Sequence, residues 1–186
     1  MKIVAPDRGH LLVSEPSVIG DYSFSRSVVL ITDYNEAGVV GFILNKPLDC
    51  TLDQLLPEVS ANFEVFQGGP VDTDNLYFLH NVPELIPDSH LIKDDIYWGG
   101  DFNVVIDLIN KNLIEPSNIK FFLGYSGWEL EQLDNELNAN SWVVVENTDK
   151  KKLLTKNMLA FWKEKMKTLG GNYQLWLNAP ENPNYN

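Results

Sequence analysis

The sequence is poor in cysteine, histidine and positive charge. Its 186 residues contain one cysteine, Cys50, and three histidines, and 14 Lys and Arg residues stand against 26 Asp and Glu, for a net charge of −12. A single cysteine excludes an internal disulfide and is typical of a protein from a reducing compartment. Nucleic-acid backbones are recognised by accumulated Lys and Arg, which this chain lacks. These shortages argue against direct nucleic-acid binding and predict a cytoplasmic protein.

Long apolar runs and nucleotide-binding motifs are missing as well. No stretch of the sequence approaches the roughly 20 apolar residues that cross a bilayer, and the N-terminus has no apolar run of signal-peptide length. The glycine pairs at 68–69 and 99–100 match neither G-x-G-x-x-G nor the phosphate-binding loop G-x-x-x-x-G-K-[ST]. We therefore predict no membrane contact and no cofactor.

The apolar content is sufficient for one substantial core. Hydrophobic residues make up 44% of the chain, which favours a single domain over residues 1–186. Residues 27–32 (SVVLIT) and 38–45 (GVVGFILN), separated by turn residues, predict a hairpin. Because both arms are apolar almost continuously, we expect the hairpin near the middle of a sheet that is covered on both faces. Further strands are predicted at residues 10–14, 63–67, 76–80, 119–125 and 141–146.

Helix signals are interspersed among these strands. Capping residues and apolar spacing predict four helices, at residues 51–56, at 101–112, after the turn at 124–127, and at 149–169. The last is amphipathic and rich in Lys, Gly170 supplies its stop, and residues 170–186 are expected to form an extended tail. The element order favours an α+β fold with a large mixed β-sheet around the central hairpin.

The stretch at residues 121–137 (FFLGYSGWELEQLDNEL) attracts attention as a possible site of chemistry. An apolar run followed by Gly124, Ser126 and Gly127 suggests a strand, a tight turn and a helix, with Ser126 at the helix start. A serine nucleophile on a hydrolase elbow needs the pattern G-x-S-x-G, but Trp128 occupies the position of the last glycine. Ser126 followed three residues later by Glu129 instead predicts a capping box.

Histidines and carboxylates provide no complete metal or catalytic set. His80 ends an apolar strand and is the best candidate for an acid, a base or a ligand, although a lone histidine there is more often held by structural hydrogen bonds. A zinc site needs about three or four ligands at recognised spacing, which the sequence does not offer. Asp94, Asp95 and Asp101 could contact calcium or magnesium weakly, but exposed loop acids explain them better. We predict no metal site and no catalytic residue.

Arg26 and Lys46 are conspicuous cations in an acidic part of the chain. Both lie at ends of the predicted hairpin, where an isolated cation is usually an ion-pair partner. A more specific hypothesis is that Arg26, Asn45 and Lys46 converge with the turn at Gly68 and Gly69 on one cleft. Such a cleft would hold a carboxylate or phosphate of a ligand or peptide.

Five short motifs follow one another in a fixed order between about residues 9 and 145. They are residues 24–31 (FSRSVVLI), 41–47 (GFILNKP), 68–71 (GGPV), 79–80 (LH) and 122–128 (FLGYSGW). Together they resemble the YqgE/AlgH family of bacterial proteins. The resemblance implies a complex α+β fold around a large mixed sheet. It implies little about activity, because the family is largely uncharacterised and the name AlgH reflects a proposed role in regulating transcription.

These features favour one functional class over another. A non-catalytic binding or regulatory protein, acting through protein or small-ligand contacts, fits the acidic composition and the missing catalytic set. The alternative is a hydrolase-type enzyme that uses Ser126 or His80, which requires a histidine near the serine. The residues proposed for ligand binding are Arg26, Asn45, Lys46, Gly68, Gly69, His80 and Ser126.

Overall fold

A computed structural model describes residues 4–16, 23–148, 153–154, 158 and 160–178. Within them, ten strands and four α-helices form an α+β fold. The strands are β1 (Leu11–Ser14), β2 (Val28–Asn35), β3 (Gly38–Ile43), β4 (Pro47–Thr51), β5 (Glu64–Gln67), β6 (Val71–His80), β7 (His90–Lys93), β8 (Ile96–Trp98), β9 (Ile119–Trp128) and β10 (Trp142–Val145). The helices are α1 (Leu52–Leu55), α2 (Phe102–Asn110), α3 (Leu130–Asn138) and α4 (Phe161–Leu169), followed by a 3-10 helix over Gly171–Asn178.

The predicted hairpin lies at the centre of the sheet. The strand order is β10-β1-β2-β3-β9-β6-β8-β7, with β4 paired to β5 and β5 paired to β9. The pairing of β5 with β9 is parallel and the other pairings are antiparallel, so the sheet is mixed as expected. The segment before β1 also lies close to the edge strand β7: a Cβ placed on Gly9 would lie 2.7 Å from the Cβ of Lys93. This approach of strands distant in the sheet order shows that the sheet is curled.

Successive side chains of each central strand enter different cores. On β2, Val28 and Leu30 face one core whereas Val29 and Ile31 face another, which follows from the two-residue period of a strand. The first face is covered by α4 and the 3-10 helix. On the other face, α3 covers one half of the sheet and α1 with α2 covers the other half. Burial on both faces explains why the hairpin is apolar almost without interruption.

The predicted turn at residues 124–127 is wrong. Strand β9 continues through this segment to Trp128, and α3 begins at Leu130 with Glu129 as its N-cap residue. Gly41 of β3 pairs with Ser126, so the end of β9 finds backbone partners and has no need to turn. Gly124, with φ of 69°, permits the strand to bend there without being interrupted. Ser126 therefore does not cap a helix.

Several local predictions are confirmed, and three strands were missed. The capping box between Thr51 and Gln54 is present at α1, and the Asp101 carboxylate accepts from backbone N–H groups at the start of α2. Strands β4, β7 and β8 were not foreseen. Asp94 and Asp95, both at positive φ, form the tight connection between β7 and β8, a role in which Asn-Gly or Asp-Gly is the usual signal.

The C-terminal region differs from its prediction. Of the helix expected over residues 149–169, the structure describes α4 from Phe161, and Gly170 terminates it with φ of 72°. Several residues of the earlier part lie outside the described residues. The tail expected to be extended over residues 170–186 forms a 3-10 helix up to Asn178, because Tyr173 and Leu177 pack against the core under α4. Residues 179–186 lie outside the described part.

Candidate anion-binding cleft

Three of the residues singled out in the sequence line one cleft. Arg26 precedes β2, Asn45 and Lys46 follow β3, and antiparallel pairing of these strands brings the two chain segments together. The opposite wall is formed by the first turn of α4. The cleft has a volume of about 480 Å³, and its lining residues are Ser25, Arg26, Asn45, Lys46, Pro47, Gln67, Trp162 and Lys163.

Arg26 has an unusual backbone conformation for its residue type. Its φ is 52°, in the left-handed region that costs a non-glycine residue about 1–2 kcal/mol. Its guanidinium carbon lies 5.3 Å from the centroid of the Trp162 ring, within cation–π range. Strained residues persist where surrounding structure holds them, and they are concentrated at functional sites.

Asn45 holds the turn that carries Arg26. Its Oδ1 accepts from the backbone N–H of Val28 at 2.8 Å, and its Nδ2 donates to the carbonyl oxygen of Arg26 at 2.8 Å. The side chain is buried, with 7% of its surface exposed. Both ends of the amide are occupied by backbone, so Asn45 positions the cleft wall through Arg26.

The other cations come from different elements of the fold. Lys46 is half-buried, and its Nζ donates to the carbonyl oxygen of Ser23 at 2.7 Å. Lys163 is exposed on α4. Beside it, Trp162 is buried and donates its indole N–H to the carbonyl oxygen of Ser14 at 2.9 Å, which anchors α4 to β1. The cleft therefore joins the sheet to the C-terminal helix.

Gly68 and Gly69 lie against the backbone of neighbouring strands. Neither is among the described residues that line the cleft. The carbonyl oxygen of Gly68 accepts from the N–H of Ile43 at 2.9 Å and from Oγ of Ser126 at 3.0 Å. A Cβ on Gly68 would collide with the carbonyl oxygen of Gly124, and a Cβ on Gly69 would collide with the backbone of β9. Glycine is needed here for close backbone approach.

Ser126 and His80 are buried far from each other. Ser126 is fully buried, and its hydroxyl donates a hydrogen bond to the carbonyl oxygen of Gly68. His80 pairs with Ile119 on β9, seven residues before Ser126, so the two residues lie about 20 Å apart at the usual strand rise of about 3.3 Å per residue. The geometry does not bring these residues together for catalysis.

His80 has the features of a structural histidine. Its Nδ1 accepts from the N–H of Val82 at 3.3 Å, which leaves Nε2 to donate to the carbonyl oxygen of Gly99 at 3.2 Å. Burial lowers the pKa of the ring, because the charged form loses its hydration. The neutral ring satisfies both neighbours and links the end of β6 to the segment after β8.

Lys120 is a buried cation that the sequence analysis did not single out. Its side chain is 3% exposed, and Nζ has no hydrogen-bond partner among the described residues. Nζ lies 3.7 Å from the centroid of the Phe66 ring, in a small pocket that Leu154 also lines. Burial lowers the pKa of the amine to about 7, and the nearby Glu64 carboxylate opposes this shift. The available signal was a lysine within an apolar strand (IKFFL).

Metal sites and membrane-spanning helices are both absent from the described residues. No group of three or more His, Cys, Asp or Glu side chains within them is arranged to hold a metal ion. In the same part of the chain, every helix is too short or too polar to cross a bilayer.

The large mixed sheet packed by helices defines an α+β protein. The AlgH-like family model matches residues 11–174, and the chain belongs to this family. A UPF0301 protein of Cytophaga hutchinsonii is 41% identical over 182 residues, which cover 96% of this chain and 98% of the relative. A UPF0301 protein of Bacteroides fragilis is 39% identical over 187 residues, covering 98% and 93% of the two chains.

Solved structures share the fold. The solution structure of the AlgH protein from Pseudomonas aeruginosa has a TM-score of 0.70 and 27% identity, and the match covers 97% of this chain and 98% of that one. The crystal structure of protein DIP2367 from Corynebacterium diphtheriae has a TM-score of 0.72 at 19% identity, covering 95% and 94% of the two chains. The family resemblance expected from the five sequence motifs is therefore confirmed.

Proposed function

We propose that this protein is a non-catalytic binding protein that holds an anionic ligand, a carboxylate or a phosphate, in the cleft at Arg26. The observation that carries the proposal is the meeting of Arg26, Lys46 and Lys163 at one cleft of about 480 Å³. The chain as a whole carries a net charge of −12, so three cations at one cavity are a local reversal of its charge. Such clefts attract anions and fix their orientation.

The construction of the cleft wall supports the same proposal. The carbonyl oxygen of Arg26 accepts a hydrogen bond from Asn45, and its guanidinium lies against the Trp162 ring. A side chain held in this way loses little conformational entropy when it binds a ligand. A planar guanidinium also donates two parallel hydrogen bonds to a carboxylate or phosphate.

A regulatory role is compatible with this architecture. The cleft lies between the sheet and α4, so a bound anion would contact both and strengthen their association. The lone Cys50 fits a reducing, cytoplasmic setting for such a protein. The hydrolase alternative gains no support, because the buried Ser126 hydroxyl donates its hydrogen bond to the carbonyl oxygen of Gly68 and His80 is remote from it.

NMR titration with citrate, succinate and inorganic phosphate tests the proposal. Binding to wild-type protein should shift resonances around Arg26 and Trp162. The variant Arg26→Gly, which tolerates the positive φ, should weaken binding at least tenfold and leave the fold intact. Arg8→Ala is the matched control, because Arg8 pairs with Asp33 on the surface and does not line the cleft.

Ser126→Ala separates the binding role from the hydrolase role. The substitution should leave anion binding unchanged, because Ser126 does not line the cleft. The proposal is overturned if no anion binds at millimolar concentration, or if Arg26→Gly and Arg8→Ala weaken binding equally. Esterase or phosphatase activity abolished by Ser126→Ala would favour the hydrolase alternative instead.

A further inference from the structure

The size of the cleft indicates that its ligand is larger than a simple anion. A volume of about 480 Å³ falls within the range of about 300–1,000 Å³ that is usual for small-molecule sites and is much larger than a simple inorganic anion requires. Exposed Pro47 adds apolar surface to the lining, and Ser25 and Gln67 add neutral polar groups. The ligand that fits this cleft therefore has an organic part as well as a charge.

The charge of the cleft indicates the kind of anion. Arg26, Lys46 and Lys163 supply three positive charges from three separate segments, and the described residues of the lining include no carboxylate. A carboxylate carries one negative charge, whereas a phosphate monoester carries about −1.5 to −2 at pH 7 and has three strong acceptor oxygens. Three cations arranged around one cavity match the phosphate better than the carboxylate.

The two kinds of cation divide the recognition between them. A planar guanidinium such as that of Arg26 is able to pair with two oxygens of one phosphate at once, whereas lysine ammonium groups such as those of Lys46 and Lys163 act as point charges. Arg26 precedes β2, Lys46 follows β3, and Lys163 lies across the cleft on α4.

We propose that the cleft at Arg26 binds the phosphate monoester of a small organic molecule, with its phosphate on Arg26, Lys46 and Lys163 and its organic part against Pro47. This inference rests on the proposed function, since it specifies the anion that the cleft holds. The volume of about 480 Å³ suits a small molecule, whereas most of a phosphorylated peptide would extend beyond the cleft.

Matched sugar ligands test the inference. Glucose 6-phosphate, glucuronate and glucose share a hexose ring and differ in the group at one end, so binding measured by NMR or calorimetry compares phosphate, carboxylate and no charge directly. Glucose 6-phosphate should bind at least tenfold more tightly than glucuronate and than inorganic phosphate. Glucose should not bind. Arg26→Gly should weaken binding of glucose 6-phosphate at least tenfold, and Arg8→Ala should leave it unchanged.

The possible outcomes distinguish this inference from the proposed function. If glucuronate binds as tightly as glucose 6-phosphate and depends on Arg26, the cleft still binds anions but the preference for phosphate is overturned. Equal affinity for inorganic phosphate would overturn the role of the organic part. A phosphoserine peptide that binds more tightly than glucose 6-phosphate would indicate a protein partner and overturn the small-molecule assignment. If none of the probes binds, both proposals are overturned.

Discussion

Two positively charged regions contact the same core of the sheet, and their surroundings differ sharply. At the cleft, Lys46 is half-buried and donates a hydrogen bond to the carbonyl oxygen of Ser23. Lys120, on β9, is 3% exposed and lies over the Phe66 ring without a hydrogen-bond acceptor among the described residues. Lys46 thus stays partly exposed in the lining of the cleft. The Lys120 pocket encloses its amine.

The difference shows that burial decides how a lysine on this face of the sheet affects the stability of the fold. An enclosed amine without an acceptor destabilises the fold when it is charged, because little replaces the lost hydration. A lysine at the rim of a cleft keeps its charge at small cost. Identical substitutions at the two positions should therefore change stability in opposite directions.

Lys120→Met should produce the largest effect. In the unfolded chain the Lys120 pKa is about 10.4, whereas in the folded protein it is lowered to about 7, so the unfolded state binds more protons between these values. Wild-type stability should thus rise from about pH 7 to pH 10, by up to about 4 kcal/mol from this group, and change little below pH 7. Lys120→Met should remove this rise and make the protein more stable at pH 7.

Urea unfolding of both proteins between pH 6 and pH 10 measures this effect as the difference between their profiles. Lys111→Met is the control, because Lys111 is exposed and pairs with Asp107 on the surface of α2. The control should change stability by less than about 0.5 kcal/mol at each pH. Parallel profiles for wild type and Lys120→Met would show that the Lys120 amine is hydrated in solution.

Asn45→Ala should have the next largest effect, at the cleft. It leaves the buried N–H of Val28 without its acceptor and frees the carbonyl oxygen of Arg26, which should lower the unfolding free energy by about 2–3 kcal/mol. Anion affinity should also fall, because Asn45 holds the segment that carries Arg26. Asn45→Asp, which keeps the acceptor for Val28, should recover part of the stability. Unchanged affinity in a folded Asn45→Ala protein would contradict the positioning role.

Lys46→Met should have the smallest effect on stability. It removes the same charge as Lys120→Met, but from a half-buried position, so the unfolding free energy should fall by less than about 1 kcal/mol. Affinity for an anion in the cleft should fall several-fold, so anion binding measures this substitution better than unfolding does. A clear gain in stability, as expected for Lys120→Met, would erase the contrast between the two regions.

The candidate site was partly foreseeable from sequence for a geometric reason. Arg26 and Lys46 lie at facing ends of a hairpin whose apolar arms are obvious, and antiparallel pairing brings such ends together. Trp162 and Lys163 were not foreseeable as cleft residues, because they reach the hairpin only through packing of a helix more than a hundred residues later. Pairing of strands distant in sequence also decided that residues 124–127 extend β9.

The sequence by itself determined the family, the α+β class, the central hairpin and the capping of α1 and α2, because these depend on local patterns and on motifs in order. Only the tertiary structure decided which polar groups are fully buried and which line a cavity. Ser126 and His80 looked reactive but are buried with their hydrogen bonds made, whereas Arg26 and Lys46 line a cleft. Burial arises from contacts between distant segments, and a local sequence pattern does not encode such contacts.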